Sequence, residues 1–220
     1  MKDKMSAQLY TLHLEKQNFL IGQVISDCDY DTALIFVNQV LEGVDLKDSR
    51  YQCFLYHKAV ILDSTMQVLE AFPIFVELLE ARPYDLKYFK SFQVCVENLN
   101  KFAIRLIEKN PSDERILNVY HLLTQYHYAS YLVCEGAALI YGMRGQTDLA
   151  KSMLTARLAL SPNDLDVIRA SVRIARIIED QVWLAELRGT LKMILKRYPY
   201  RYEVLEVEAG EFEVLWDKVA

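Results

Sequence analysis

Arg169, Arg173 and Arg176 recur at i, i+4 and i+7, so on a helix they form one stripe, beside a second stripe of Leu165, Ile168, Val172 and Ala175. Guanidinium groups in such a row can hold carboxylates, because two parallel N–H donors match the two oxygens of a planar acid. The chemistry on offer is therefore non-covalent recognition of an acidic segment. The same stripe also reads as a solvated face in which Arg176 pairs with Asp180 four residues on. Tyrosine is abundant, 14 in all, and Tyr120, Tyr126, Tyr128, Tyr131 and Tyr141 crowd one region with His121 and His127. Aromatic rings with a polar tip suit peptide recognition, and they suit packing between helices equally well. The two histidines do not align on one helical face, and no Cys or carboxylate completes a ligand set, so no metal is expected.

Catalytic patterns are not evident. The chain has no GxSxG, no Gly-rich phosphate loop, no HExxH and no Cys beside an evident base, so neither enzymatic activity nor a cofactor is expected. Net charge is -5 without a basic block, which argues against nucleic acid as the partner, since phosphate backbones bind through clustered Lys and Arg. Cys28, Cys53, Cys95 and Cys134 stand far apart with no CxxC pair and read as free thiols of a reducing compartment. Polar residues His13, Glu15, Lys16 and Asn18 interrupt any apolar N-terminal run, so neither a signal peptide nor a membrane span is expected and the cytoplasm is the expected location.

These residues need elements to position them. Only seven Gly and five Pro punctuate 220 residues, a pattern of long helices and short turns. Helices are predicted over about 9–26, 32–41, 49–62 and 66–80, with Asp29 or Asp31 capping the second and Pro73 kinking the fourth or delaying its start. A long helix is predicted from Leu86 to just before Pro111, with Ser112 or Asp113 capping the stretch after it. That stretch runs through Met143 and must break between Thr124 and Tyr131. Helices over about 149–160, 165–179 and 182–197 follow. Beyond them Leu205, Ala209, Phe212, Trp216 and Val219 fall on one face of an acidic segment, 202–219, which reads as a terminal cap.

Three stretches share a ladder of small and large residues: Ala33 with Val37, Ala71 with Phe75 and Pro83, and Ala150 with Leu154 and Pro162. Small residues let two helices approach, the large one fills the hole opposite, and proline stops the second helix. Cys134, Ala137, Ala138, Tyr141, Gly145, Ala150, Leu154 and Pro162 together resemble the tetratricopeptide repeat pattern W-x2-L-G-x2-Y, A-x3-F and P. Ala59, Leu62, Ala71, Phe75 and Pro83 resemble it too. Cys134 replaces the bulky first residue, Lys58 stands at a leucine place, and Leu184 takes the small place of the last pair.

The resemblance implies a single all-α domain, a right-handed superhelical array of antiparallel helix pairs. Its units are placed at about 14–47, 52–85, 131–164 and 165–198, with an irregular helical segment over 86–130. It also implies that first helices line a concave groove in which basic side chains hold an extended peptide. Arg169, Arg173, Arg176, Tyr131 and Tyr141 are then the candidate contacts, and the partner is another protein, its segment extended or helical, with an acidic one best suited to the arginines. A homo-oligomer is compatible with the same reading. The function implied is that of an adaptor, assembly factor or chaperone, similar to the tetratricopeptide chaperones of bacterial secretion systems. The alternatives are a peptide- or small-molecule-sensing regulatory domain, or an enzyme of unrecognised type.

Overall fold

A computed structural model of the chain describes residues 2–48 and 50–197. Its described residues form ten helices and no strand. They are α1 (Lys2–Ser26), α2 (Tyr30–Gly43), α3 (Tyr51–Ser64), α4 (Val68–Ala81), α5 (Leu86–Lys109), α6 (Arg115–Gln125), α7 (Tyr131–Met143), α8 (Thr147–Leu160), α9 (Leu165–Ile177) and α10 (Gln181–Arg197). The expected interruption between Thr124 and Tyr131 separates α6 from α7. Pro73 does not stop α4, which starts before it and runs on to Ala81; Pro73 lies on the exposed face, where water can replace the donor it lacks. The segment read as a terminal cap, 202–219, lies outside the described residues.

Two kinds of turn recur along the chain. The first closes α1, α3, α6, α7 and α9 with one residue in the left-handed region: Cys28, Met66, His127, Gly145 and Glu179, at φ between 58° and 74°. After each, the next N–H (Asp29, Gln67, Tyr128, Gln146, Asp180) reaches back to the carbonyl of Val24, Leu62, Leu123, Tyr141 or Ala175 at 2.8–3.1 Å, which satisfies an orphan carbonyl at the helix end. Only Gly145 adopts this backbone without a Cβ penalty. The second kind is a Pro-x-Asp turn. Pro83, Pro111 and Pro162 end α4, α5 and α8, and the Oδ1 of Asp85, Asp113 and Asp164 then accepts from Lys87 N, Arg115 N and Asp166 N at 2.9, 2.9 and 3.1 Å, capping the next helix. Of the candidate caps named above, Asp29 is the one used for α2 and Asp113 the one used ahead of α6.

The ladder is the packing surface between helices. Ala33, Ala71 and Ala150 are fully buried, and Val37, Phe75 and Leu154 are buried beside them. Leu184 fills the small-residue place of the last pair and is buried too, while Ala185 is exposed. Each unit of contact is a helix pair that also touches its neighbour: α1 packs on α2 and α3, α2 on α3, and α3 on α4; α7 packs on α8 and α9, α8 on α9, and α9 on α10. Contact of α1 with α3 and of α7 with α9 places successive first helices side by side, the tetratricopeptide-like arrangement.

The described residues divide into two compact units, one of those up to 105 with 122–128, the other of 106–121 with 129–197. In the first, Leu14, Ile21, Ala33, Val37, Val40, Val44, Phe54 and Ile61 form one core, and Phe72 meets the rings of Phe92 and Tyr126 at 5.4 and 5.6 Å. In the second, Gly136 of α7 lies so close to its neighbours that a Cβ there would stand 2.5 Å from Ile107 Cδ1. The helices α5 and α6 contribute residues to both units. Pro-x-Asp turns bound α5 at each end, so it opens like a first helix and closes like a second, which is why the repeat pattern is lost between 86 and 130.

Candidate protein-binding site

The shared turns give a register for the first helices. With Cys28, Met66, Gly145 and Glu179 placed level, Asn18, Tyr56, Glu135 and Arg169 occupy one position, Gly22, Val60, Leu139 and Arg173 a second, and Ile25, Asp63, Gly142 and Arg176 a third. The three arginines thus stand where the first unit has Tyr56, Val60 and Asp63.

In the first unit those positions border open space. One hollow of about 680 Å³ is bordered by Asn18, Phe19, Gly22 and Gln23 of α1, His57 of α3 and Lys87 of α5. Asn18 Oδ1 lies 2.9 Å from His57 Nε2. Burial, assisted by Lys87, lowers the His57 pKa to about 4, so the ring is neutral at physiological pH and the Nε2–H tautomer donates this bond. Lys87 Nζ sits 3.9 Å from the centre of the Tyr56 ring, and Tyr56 stacks on Tyr88 at 5.4 Å. A second hollow of about 290 Å³ adjoins Tyr56, Val60, Asp63, Phe75, Lys90 and Val94. Here Tyr56 Oη and Ser91 Oγ are 3.0 Å apart, and Asn98 Nδ2 donates to Asp63 Oδ2 at 3.0 Å. Burial raises the Asp63 pKa against the opposing bonds from Asn98 and Cys95.

In the second unit the equivalent positions are engaged with one another. Arg173 Nη1 pairs with Glu135 Oε1 at 3.1 Å, joining α9 to α7, and Arg169 Nη1 pairs with Asp166 Oδ1 at 3.2 Å within α9. Arg176 is exposed and does not pair with Asp180, which instead accepts from Lys151 Nζ at 2.8 Å and from Trp183 N at 2.9 Å. Tyr131 is half-buried among the same charges: burial raises its pKa, Asp166, Glu135 and Asp164 add to the shift, and Arg173 opposes it. Tyr141 does not join this group. It takes the place that Leu62 and Ala175 fill in other pairs, and its hydroxyl lies 3.2 Å from His121 Nε2.

Of the five candidates, the fold therefore gathers Tyr131, Arg169 and Arg173, sets Arg176 at the end of their stripe, and sends Tyr141 toward α6. Sequence reading did not identify Asn18, Tyr56, His57, Asp63, Lys87 or Asn98. A signal was present, since Tyr56 and Ser91, and likewise Asp63 and Asn98, are 35 residues apart, close to the repeat length of about 34. All four cysteines are unpaired, with Cys95 and Cys134 buried and Cys28 exposed. Among the described residues no helix is long and apolar enough to cross a membrane.

No protein-family model matches the sequence, and no curated protein matches it. Solved structures similar to this chain include PilW, a widely conserved type IV pilus biogenesis factor (16% identity over 83% of this chain and 78% of that one, TM-score 0.38). MamA from AMB-1 is similar at 15% identity over 81% and 95% of the two chains, TM-score 0.35. A tetratricopeptide repeat protein from Parabacteroides merdae ATCC 43184 is similar at 14% identity over 93% and 96%, TM-score 0.33.

Proposed function

We propose that this chain is a non-enzymatic protein-binding module, an adaptor, assembly factor or chaperone that holds a segment of another protein along its first helices. The observation that carries this reading is the hollow of about 680 Å³ to which α1, α3 and α5 contribute hydrogen-bonding side chains. An extended segment presents backbone donors and acceptors at regular intervals, and Asn18, Gln23 and Lys87 offer the complementary groups to it. The arginines of α9 occupy the equivalent positions of the second unit with positive charge, which suits an acidic stretch of a partner. Unpaired cysteines fit action in the cytoplasm.

The test is capture of partners from the native source, identified by mass spectrometry, with two single substitutions compared. Gln23→Trp fills the hollow at an exposed position, whereas Gln39→Trp adds the same ring to the exposed side of α2. The expected result is a partner retained by wild type and Gln39→Trp and lost by Gln23→Trp. Equal retention by both variants would overturn the reading.

A further inference from the structure

The smaller hollow differs from the larger in chemistry. Val94, Val60 and the Tyr56 ring give it apolar walls that solvent reaches, Val94 being 51% exposed, and buried Phe75 completes the apolar lining. Its polar groups are already engaged. Tyr56 Oη and Ser91 Oγ are 3.0 Å apart, one Asp63 oxygen accepts from Asn98 Nδ2 at 3.0 Å, and the other is buried, with the Cys95 thiol beside the carboxylate. A polar tip entering here would lose water without gaining a partner, so the hollow selects an apolar group. At about 290 Å³ it lies at the lower limit of small-molecule pockets, roughly 300 to 1,000 Å³, and suits one side chain better than a whole ligand.

Two cations stand beside this surface. Lys90 borders the hollow, and Lys87, one turn earlier on α5, holds its Nζ 3.9 Å from the centre of the Tyr56 ring. Both are exposed, and among the described residues neither pairs with an acid. We infer that this hollow is the anchor for one aliphatic side chain of the leucine type, in an acidic stretch of the bound partner whose carboxylates meet Lys87 and Lys90. The inference rests on the binding reading above and names one side chain of the segment. In an extended chain, residues two apart point to the same side and lie about 7 Å apart, so acids two places before and after the anchor face the protein within reach of a lysyl stem. The positive border then favours the acids as the walls favour the leucine.

Three capped peptides serve as probes: Ac-Asp-Gly-Leu-Gly-Asp-NH2, its alanine counterpart at the centre, and its counterpart with both acids replaced by asparagine. Binding to the full chain is followed at neutral pH and low salt by the amide shifts of Ser64, Ser91 and Val94. The leucine peptide should bind about tenfold tighter than the alanine peptide, as expected for partial burial of the larger side chain. It should bind about threefold tighter than the asparagine peptide, an advantage that about 1 M salt removes, because exposed ion pairs are weak and screened. Lys87→Ser with Lys90→Ser should erase the preference for acids and keep the preference for leucine. Val94→Trp, at an exposed wall, should erase the preference for leucine. Equal binding of the leucine and alanine peptides, no binding of any, or a preference for acids that survives the double lysine change would overturn the inference. Loss of partner capture in Gln23→Trp with no leucine preference would leave the binding reading standing and remove the anchor alone.

Discussion

The first helices of the two units carry the same register with opposite contents. Where α3 has Tyr56, His57 and Asp63, α7 has Glu135, Gly136 and Gly142. In α3 the large polar residues border hollows and hold hydrogen bonds with spare capacity, as at Asn18 and Asp63. In α7 glycine lets Ile107 and Ile116 approach to within 2.5 and 3.3 Å of where a Cβ would be, and Glu135 is committed to Arg173. A repeat scaffold therefore separates two decisions. The ladder fixes how helices pair, while the residues at these other positions of the first helix decide whether its face is open or closed to a partner.

Gly136→Val should break the comparison most severely, because its side chain must displace Ile107 and Ile116. A loss of about 1 to 3 kcal/mol is expected in denaturant unfolding. His57→Val at the equivalent place should cost less, since that position already holds an imidazole. Ala71→Leu and Ala150→Leu probe what the units share, and both should lose about 1 to 3 kcal/mol through overpacking. Unchanged unfolding for both would show that the ladder is not a packing surface.

The turns offer a smaller contrast of opposite sign. Met66→Gly should stabilise by about 0.5 to 1 kcal/mol by relieving a left-handed residue, and Gly145→Ala should destabilise by a similar amount, because the same backbone gains a Cβ. Titration sharpens the difference in charge. The unfolded chain protonates His57 near its ordinary value of 6.5 and the folded chain only at about 4, so unfolding takes up a proton between the two. Stability should fall as pH drops through that interval, and His57→Gln should flatten this part of the profile. The smallest effect belongs to the arginines. Replacing Arg169, Arg173 and Arg176 together with Ser should change stability by only about 0 to 1 kcal/mol, since their ion pairs are exposed or partly so. The same change should weaken binding of an acidic partner at low salt, and equal affinity before and after it would remove the stripe from the site.

Much of the scaffold was legible because its signals are local. Helix ends follow from Pro83, Pro111 and Pro162, the break before Tyr131 from the length of an apolar run, and the arginine stripe from helical spacing. The middle was harder to read. The Pro-x-Asp triplet before α6 matches those before α5 and α9, yet no small-to-large ladder accompanies it, so the segment 86–130 read as irregular. The binding face was less legible still, since Asn18, His57 and Lys87 are ordinary residues on ordinary helices until first helices are laid side by side.

What the residue order determined by itself is the helices, their caps and the small-to-large ladder, all of which depend on backbone sterics and on neighbours within a few turns. Tertiary structure alone decided which charges were spent inside the protein and which were left over. Arg173 is neutralised by a glutamate from another helix, Asp180 is taken by Lys151 and not by Arg176, and Asp63 keeps acceptor capacity that one amide from α5 does not fill. Charge pairing is a property of distance through space. Sequence spacing supplies that distance along one helix and leaves it undetermined between two.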